Sequence, residues 1–410
     1  MTRWGEGDKN WGVIVTGNID TQFAMPNGAG DMIIDQSCKP EGERFEKFKE
    51  LATAAKANGS LIVGQITHPG RQVKYSLSSE AVSASDVQLC KSDLFVLYVS
   101  GDRYVNLSIA PQSGMTFGKP HAATKAEIEQ IANEFAHTSE YLEKAGFDGI
   151  ELHAAHGYLI SQFLSRSTNL RTDEYGVQTV ENRLRFLSDI VRAVKARVSP
   201  KFIVAAKLNS VEFQEGGVTA DEARAVVESL EEMGLDYVQL SGGTYENLGM
   251  EWERDSTKIR EGFFLKFARA ISAALDKDRK IKLYLAGGLR SVEGMVDALD
   301  AVDGVAIGRP AAMEPRLAND ILEGKVPGAI KPLDGIEGDF WLNLIAAGAQ
   351  IWQIARGKEP FQLNTDATVA QLQQDIGVWQ QKMMQGIEQS RPVVFTGPET
   401  SYGEAVAVEA

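Results

Sequence analysis

What most constrains this chain is an alternation through its first three quarters, in which short apolar runs bounded by Gly or Asp are separated by longer amphipathic stretches. The runs are Gly12–Thr16, Ser60–Ile66, Gly149–His153, Phe202–Leu208, Tyr237–Ser241, Ile281–Ala286 and Gly304–Ile307. Between them, Phe45–Ala57, Lys125–Ala145, Glu181–Val198, Ala220–Met233, Gly262–Leu275 and Val292–Leu299 repeat apolar residues at three- and four-residue spacing. Every run but the last is followed by such a stretch. Runs too short to be helices, alternating with helix-period stretches, are the pattern of β/α units around a parallel sheet. Thr124 three residues before Glu127, and Thr219 before Asp221 and Glu222, mark helix starts. The pattern predicts an α/β fold, a TIM (β/α)8 barrel over residues 1–325. Phe340–Ala355 and Val369–Gly386 predict a helical extension over 326–410 that packs outside the barrel, since no long Pro, Ser or Gly linker precedes it. Beyond the β/α period no internal repeat is read.

The 410 residues carry a formal net charge of −14, which opposes attraction to phosphate backbones and anionic membranes, so neither nucleic acid nor membrane is an expected partner. Cys38 and Cys90 form no CxxC pair and point to a reducing compartment rather than to a disulfide framework or a cysteine zinc site. No apolar leader opens the chain, and its most apolar later stretch, Phe340–Trp352, is broken by Asn343, Gly348 and Gln350; a cytoplasmic protein is expected.

Barrel strands all point one way, so their C-terminal ends gather on the face where barrel enzymes place their chemistry. That face should carry Thr16, Gly17, Asn18, Gln65, His68, His153, His156, Lys207, Ser241, Gly242, Gly287, Gly288, Gly308 and Arg309. His153, His156 and Tyr158 emerge within one short segment. Neutral imidazoles can donate hydrogen bonds to a substrate oxygen, and a phenol can deliver a proton without being ionised at neutral pH. The same histidines could satisfy core hydrogen bonds, or ligate a metal if His68, His121 or His137 supplied a third ligand; no metal is expected. Gly287-Gly288 and Gly308-Arg309, after the last two strands, have the makings of a phosphate cradle, glycine exposing backbone N–H groups beside an Arg; tight turns alone are the other reading. Lys207 could stabilise negative charge, form a Schiff base as in aldolases, or stand in solvent. The amide of Gln65 joins a donor and an acceptor and suits the edge of a heterocycle.

Taken together, the segment Gln65–Arg71 (QITHPGR), the His153/His156/Tyr158 cluster, Ser165–Gly176 (SRSTNLRTDEYG), Glu181–Phe186 (ENRLRF) and Ile307–Arg309 (IGR) resemble the Old Yellow Enzyme family of FMN-dependent ene-reductases, over about Trp4 to Arg309. The resemblance implies FMN with its phosphate at Gly287, Gly288, Gly308 and Arg309, its pyrimidine edge at Gln65, Lys207 facing N1 and O2, and Asn18 in contact beside Gly17. It implies NADH or NADPH as reductant and an enone or enal as substrate, the carbonyl oxygen bound by His153 and His156, with Tyr158 as proton donor to the α-carbon. The His/His pair resembles the thermophilic-type bacterial and many fungal members. NADH-against-NADPH preference, physiological substrate and oligomeric state are left open.

Two departures qualify the resemblance. The family's barrel begins with a strand ending in Pro-Met, and this chain starts after it, so one strand is expected to be missing, with an unpaired edge on each side and one flavin wall lost. The alternative function is therefore a flavin-free or inactive barrel acting as a binding or redox-neutral protein. Cys90–Ala110 is an insertion relative to the family; a coding choice for Cys90-Lys91-Ser92 contains a splice-donor pattern, so it reads either as a retained intron or as a surface loop.

Overall fold

The computed structural model describes residues 1–5, 11–28, 30–89, 94–100, 103–109, 116–209, 220–241, 265–276, 278–337, 339–384 and 392–402. The seven apolar runs become seven parallel strands: β1 (Val13–Asp20), β2 (Leu61–Thr67), β3 (Gly149–Ala154), β4 (Ile203–Asn209), β5 (Tyr237–Ser241), β6 (Lys282–Ala286) and β7 (Gly304–Ala306). They pair in chain order into one curled sheet, and the two-residue strand Met32–Ile33 adds to the outer edge of β1 beside Ile19 and Asp20. Among the described residues β1 and β7 do not pair, and the sheet is open between them.

One local device sets the register three times. An apolar residue followed by Asp precedes β3, β5 and β7, as Phe147-Asp148, Leu235-Asp236 and Val302-Asp303. Each carboxylate accepts a backbone N–H from the strand before it: Ile62 N to Asp148 Oδ2 at 2.9 Å, Val204 N to Asp236 Oδ2 at 2.8 Å and Leu283 N to Asp303 Oδ2 at 2.8 Å. A charged acceptor on an otherwise orphaned donor fixes where each pair of strands begins.

Helices α1 (Gly42–Lys56), α2 (Lys125–Lys144), α3 (Leu159–Leu164), α4 (Val180–Lys195), α5 (Ala220–Glu232), α6 (Leu265–Ala274) and α7 (Val292–Leu299) follow, with a short α8 (Arg309–Met313) after β7, where the sequence predicted none. The capping pair at Thr124 and Glu127 is reciprocal: Glu127 N donates to Thr124 Oγ1 at 3.2 Å and Thr124 N to Glu127 Oε2 at 2.8 Å. Thr219, the other expected start, lies outside the described residues. The outer face of the sheet is apolar and meets the helices so closely that a Cβ on Gly64 would lie 2.6 Å from Leu142 of α2.

Beside the opening, Trp4 and Trp11 donate their indole N–H groups to Ala311 O at 2.8 Å and Pro315 O at 2.9 Å, tying the segment before β1 to the segment after β7. The tail helices lie in a second apolar cluster, with Met313, Ile336, Ala346, Phe361, Leu372 and Phe395 buried together. They span Phe340–Ala355, as predicted, and Asp366–Met384. Within Cys90–Ala110 the described parts are two antiparallel strands, Leu94–Ser100 and Arg103–Ile109, the second pairing on with Thr116–Gly118. This hairpin was not foreseen.

Candidate functional site

The strands run further than their apolar runs. Asn18 lies inside β1 past a bulge between Val15 and Asn18, Gln65 lies inside β2, and Lys207 lies two residues short of the end of β4. These side chains, expected at the barrel mouth, take positions in the C-terminal parts of their strands that face the interior, opposite the apolar residues that meet the helices. Registered residues of a parallel sheet project to the same side, so Asn18, Gln65, Glu151 and Ala205 form one interior row. His153, Lys207 and Gln239 form the row above it.

The upper end of β3 is finished by a tight turn. Tyr158 N donates to Ala155 O at 3.2 Å, with His156 at φ 56° and Gly157 at φ 76° between them. Two positive φ values in succession are what a type I′ turn requires, and a non-glycine residue there costs about 1–2 kcal/mol. Gln72 Nε2 holds the turn by donating to His156 O at 3.1 Å, and a Cβ on Gly157 would stand 2.6 Å from Gln72 Oε1. The turn brings three rings together: His153 and His156 are edge-to-face at 5.0 Å, His153 and Tyr158 at 4.4 Å. Asn18 Nδ2 donates to the Tyr158 hydroxyl at 3.2 Å, so the residue expected to touch flavin also contacts the expected proton donor.

Burial keeps both imidazoles neutral: it drives His153 well below its ordinary range, helped by His156 and the Lys207 charge, and lowers His156 to about 3, again with Lys207 contributing. Ala155 N donates to His153 Nδ1 at 3.4 Å, which leaves the ring proton on Nε2. His156 Nε2 meets Ser241 Oγ at 2.9 Å; a serine hydroxyl donating into Nε2 puts the proton of that ring on Nδ1.

Below the histidines, Gln65 Nε2 donates to Glu151 Oε1 at 2.7 Å. Burial raises the Glu151 carboxyl and lowers the Lys207 ammonium, while the opposite charge of each offsets part of that shift in the other. Glu151, fully buried, also pushes the buried Tyr237 phenol further above its ordinary range. Glu151 has no role in the sequence reading; its place two residues before His153, hence on the same strand face, was the available signal.

The pairing of β6 with β7 runs to Ala286 and Ala306, and Gly287-Gly288 and Ile307-Gly308 follow the two strand ends. Gly287 and Gly288 have φ of 133° and 70°, which glycine alone adopts readily, and a Cβ on Gly308 would meet nothing within 4 Å. Arg309 opens α8. His68 lies apart from His153, its Nδ1 accepting from Gly70 N at 3.0 Å, while His121 pairs with Glu127 and His137 with Cys38 O. Among the described residues no three His, Cys, Asp or Glu side chains form a metal-holding group. Gly242 lies outside the described residues.

A parallel β/α half-barrel with imidazoles, a phenol and a lysine on its interior is the scaffold of a barrel oxidoreductase. The family model for the NADH:flavin oxidoreductase / NADH oxidase family matches residues 9–326, and the chain belongs to that family, within the Old Yellow Enzyme group, whose cofactors are FMN and NAD(P)H. It is 44% identical over 373 residues to the NADH-dependent flavin oxidoreductase nadA of Aspergillus parasiticus, covering 89% of this chain and 77% of that protein. With the NADH-dependent flavin oxidoreductase iliE of Hypocrea jecorina it shares 31% identity over 328 residues, 78% of each. Among solved structures, morphinone reductase in complex with tetrahydroNAD superposes with a TM-score of 0.58 at 22% identity, over 82% of this chain and 83% of that one, a likeness of fold. No described helix is long and apolar enough to cross a membrane.

Proposed function

We propose that this chain uses NADH or NADPH to reduce the C=C bond of small α,β-unsaturated carbonyl compounds, enones or enals, in the manner of an FMN-dependent ene-reductase. Its residues fit the cofactor. Lys207 and His156 lie deep among the strands yet keep accessible surface, so they line an interior space rather than packed core. Gly287, Gly288, Gly308 and Arg309 offer backbone donors, open Cα faces and a guanidinium for a phosphate. Gln65 offers an amide, and Lys207 a positive charge for an electron-rich ring edge. Bound FMN supplies hydride transfer from the nicotinamide to the β-carbon of the alkene.

The observation that carries the reading is the cluster of two neutral imidazoles and a phenol on one turn. His153 Nε2–H and His156 Nδ1–H are the donors for a carbonyl oxygen, which stabilises negative charge developing there during reduction. With the Ser241 hydroxyl donating to Nε2, His156 takes the tautomer that can do this. Tyr158, oriented by Asn18 and by its packing on His153, is the proton donor to the α-carbon.

The purified chain, incubated with FMN and desalted, should retain flavin absorbance near one equivalent, bleach anaerobically with NADH or NADPH, and recover colour with an enone. Tyr158→Phe should slow reoxidation by enone about 10²-fold or more while leaving bleaching unchanged. Reoxidation of that variant at the wild-type rate would remove Tyr158 from its role, and absence of retained flavin would remove the reading.

A further inference from the structure

Glu151 is the feature of the interior that neither substrate contact nor phosphate binding uses. It is fully buried in the row beneath His153, on the strand adjacent to Lys207: Glu151 registers with Ala205 of β4, and His153 with Lys207. Gln65 on the other flank donates to it at 2.7 Å. A carboxylate buried without cause is costly, and a lysine in the same interior is equally so; together each supplies the charge the other lacks.

We propose that Glu151 is a positioning residue whose carboxylate, seated by Gln65 on the strand beside Lys207, keeps the Lys207 ammonium charged toward the flavin side of the barrel. The reading of Lys207 as a flavin-facing group comes from the proposed function; its place one row above Glu151 on the neighbouring strand stands on the sheet itself. Among the described residues, the titratable groups around Lys207 are Glu151 and His153 of β3, His156 on the following turn, and Tyr237 of β5 on the other flank of β4. Burial favours the neutral forms of both imidazoles and of the phenol, so Glu151 is the group among these that can carry negative charge. Its effect on Lys207 is in the sense required, upward against burial.

The test needs no flavin, and so is decided separately from whether the chain binds FMN. The full chain is pulse-labelled with an amine-acylating reagent at pH 6 to 9, and labelling at each lysine is read by mass spectrometry. Only the neutral amine reacts, so a fall of one unit in the Lys207 pKa raises its labelling at pH 7 about tenfold. Glu151→Gln should produce a rise of about that size at Lys207 and leave the exposed Lys47 and Lys49 unchanged, while Glu151→Asp, which keeps the charge, should stay close to wild type. In FMN-loaded protein, Glu151→Gln should shift the flavin midpoint potential, and the shift should vanish in a Lys207→Met background. Lys207 labelling that does not rise in Glu151→Gln overturns the proposal. So does an equal rise in Glu151→Asp, which would make Glu151 a packing residue only, and so does a potential shift that persists without Lys207.

Discussion

His68 makes the fold measurably acid-sensitive. The residue follows β2, is 1% exposed, and accepts Gly70 N at its Nδ1, a bond that needs the unprotonated ring nitrogen. Burial lowers it to about 3 from an ordinary 6.5. The unfolded chain therefore binds the extra proton between those values and the folded chain does not, so this contribution is harmless above 6.5 and costs increasing stability as pH falls toward 3. At pH 5, 1.5 units below the ordinary value, the cost is about 2 kcal/mol, against a few tenths at pH 7. Asp20, raised to about 8 by burial, works the opposite way, since the folded chain keeps its proton and loses relative stability as pH rises from 3.8 toward 8. Net acid stability alone is therefore uninformative, and a difference isolates the histidine. His68→Asn keeps an acceptor for Gly70 N but cannot titrate. It loses packing at every pH, so the wild type should be the more stable at pH 7, by a margin that narrows by about 2 kcal/mol at pH 5. Urea unfolding followed by tryptophan fluorescence at pH 5, 6 and 7 measures both. A margin that stays constant across that range would show that His68 titrates normally in the folded protein, and the burial argument would be wrong.

Two further substitutions separate scaffold from site. Gly157→Ala places a Cβ on a left-handed backbone and against Gln72 Oε1, so the strain and the displaced Gln72–His156 bond should together cost about 2–3 kcal/mol in urea unfolding and impair enone reoxidation; a variant as stable as wild type would refute the turn's role. A Cβ on Gly308 meets no neighbour, so the stability of Gly308→Ala should stay within about 1 kcal/mol of wild type while FMN affinity, by fluorescence titration, falls about tenfold or more; unchanged affinity would move the phosphate elsewhere.

The strands were legible because each is a run of apolar residues between Gly or Asp, and β5 was placed to the residue. Their polar ends were not. Asn18, Asp20 and Thr67 continue ladders whose hydrogen bonds depend on the neighbouring strand, which no local pattern reports. This is why Asn18 lay beyond the apolar run Gly12–Thr16, whereas Gln65 and Lys207 fell inside theirs. Asp148, Asp236 and Asp303 recur in one motif, yet three carboxylates before apolar runs look like ordinary turn residues until their acceptor role is seen across strands. The helix after β7 escaped notice because α8 is five residues long, too short for a period to register. His153, His156 and Tyr158 were found early because one turn carries them all; Glu151 was missed because its partners, Gln65 and Lys207, sit 86 and 56 residues away in the chain, 151 − 65 and 207 − 151.

The interior of the sheet supplies the strongest physical argument for a ligand. A (β/α)8 barrel commonly fills its centre with branched apolar side chains in layers, which excludes water. Here the outer face does this, with Ile19, Ile66, Ile150 and Leu152 fully buried under the helices, while the inner face of the same strands carries Asn18, Gln65, Glu151, His153, Lys207 and Gln239. Alternating residues on each strand thus obey opposite rules, and the polar set includes an acid and a base whose burial shifts both against their charged forms. Such an interior is costly to a fold that gains only by packing and suited to one that must orient a polar heterocycle and stabilise charge arriving on it. On the proposed function, the polar rows serve the chemistry and the apolar rows behind them the scaffold that holds it.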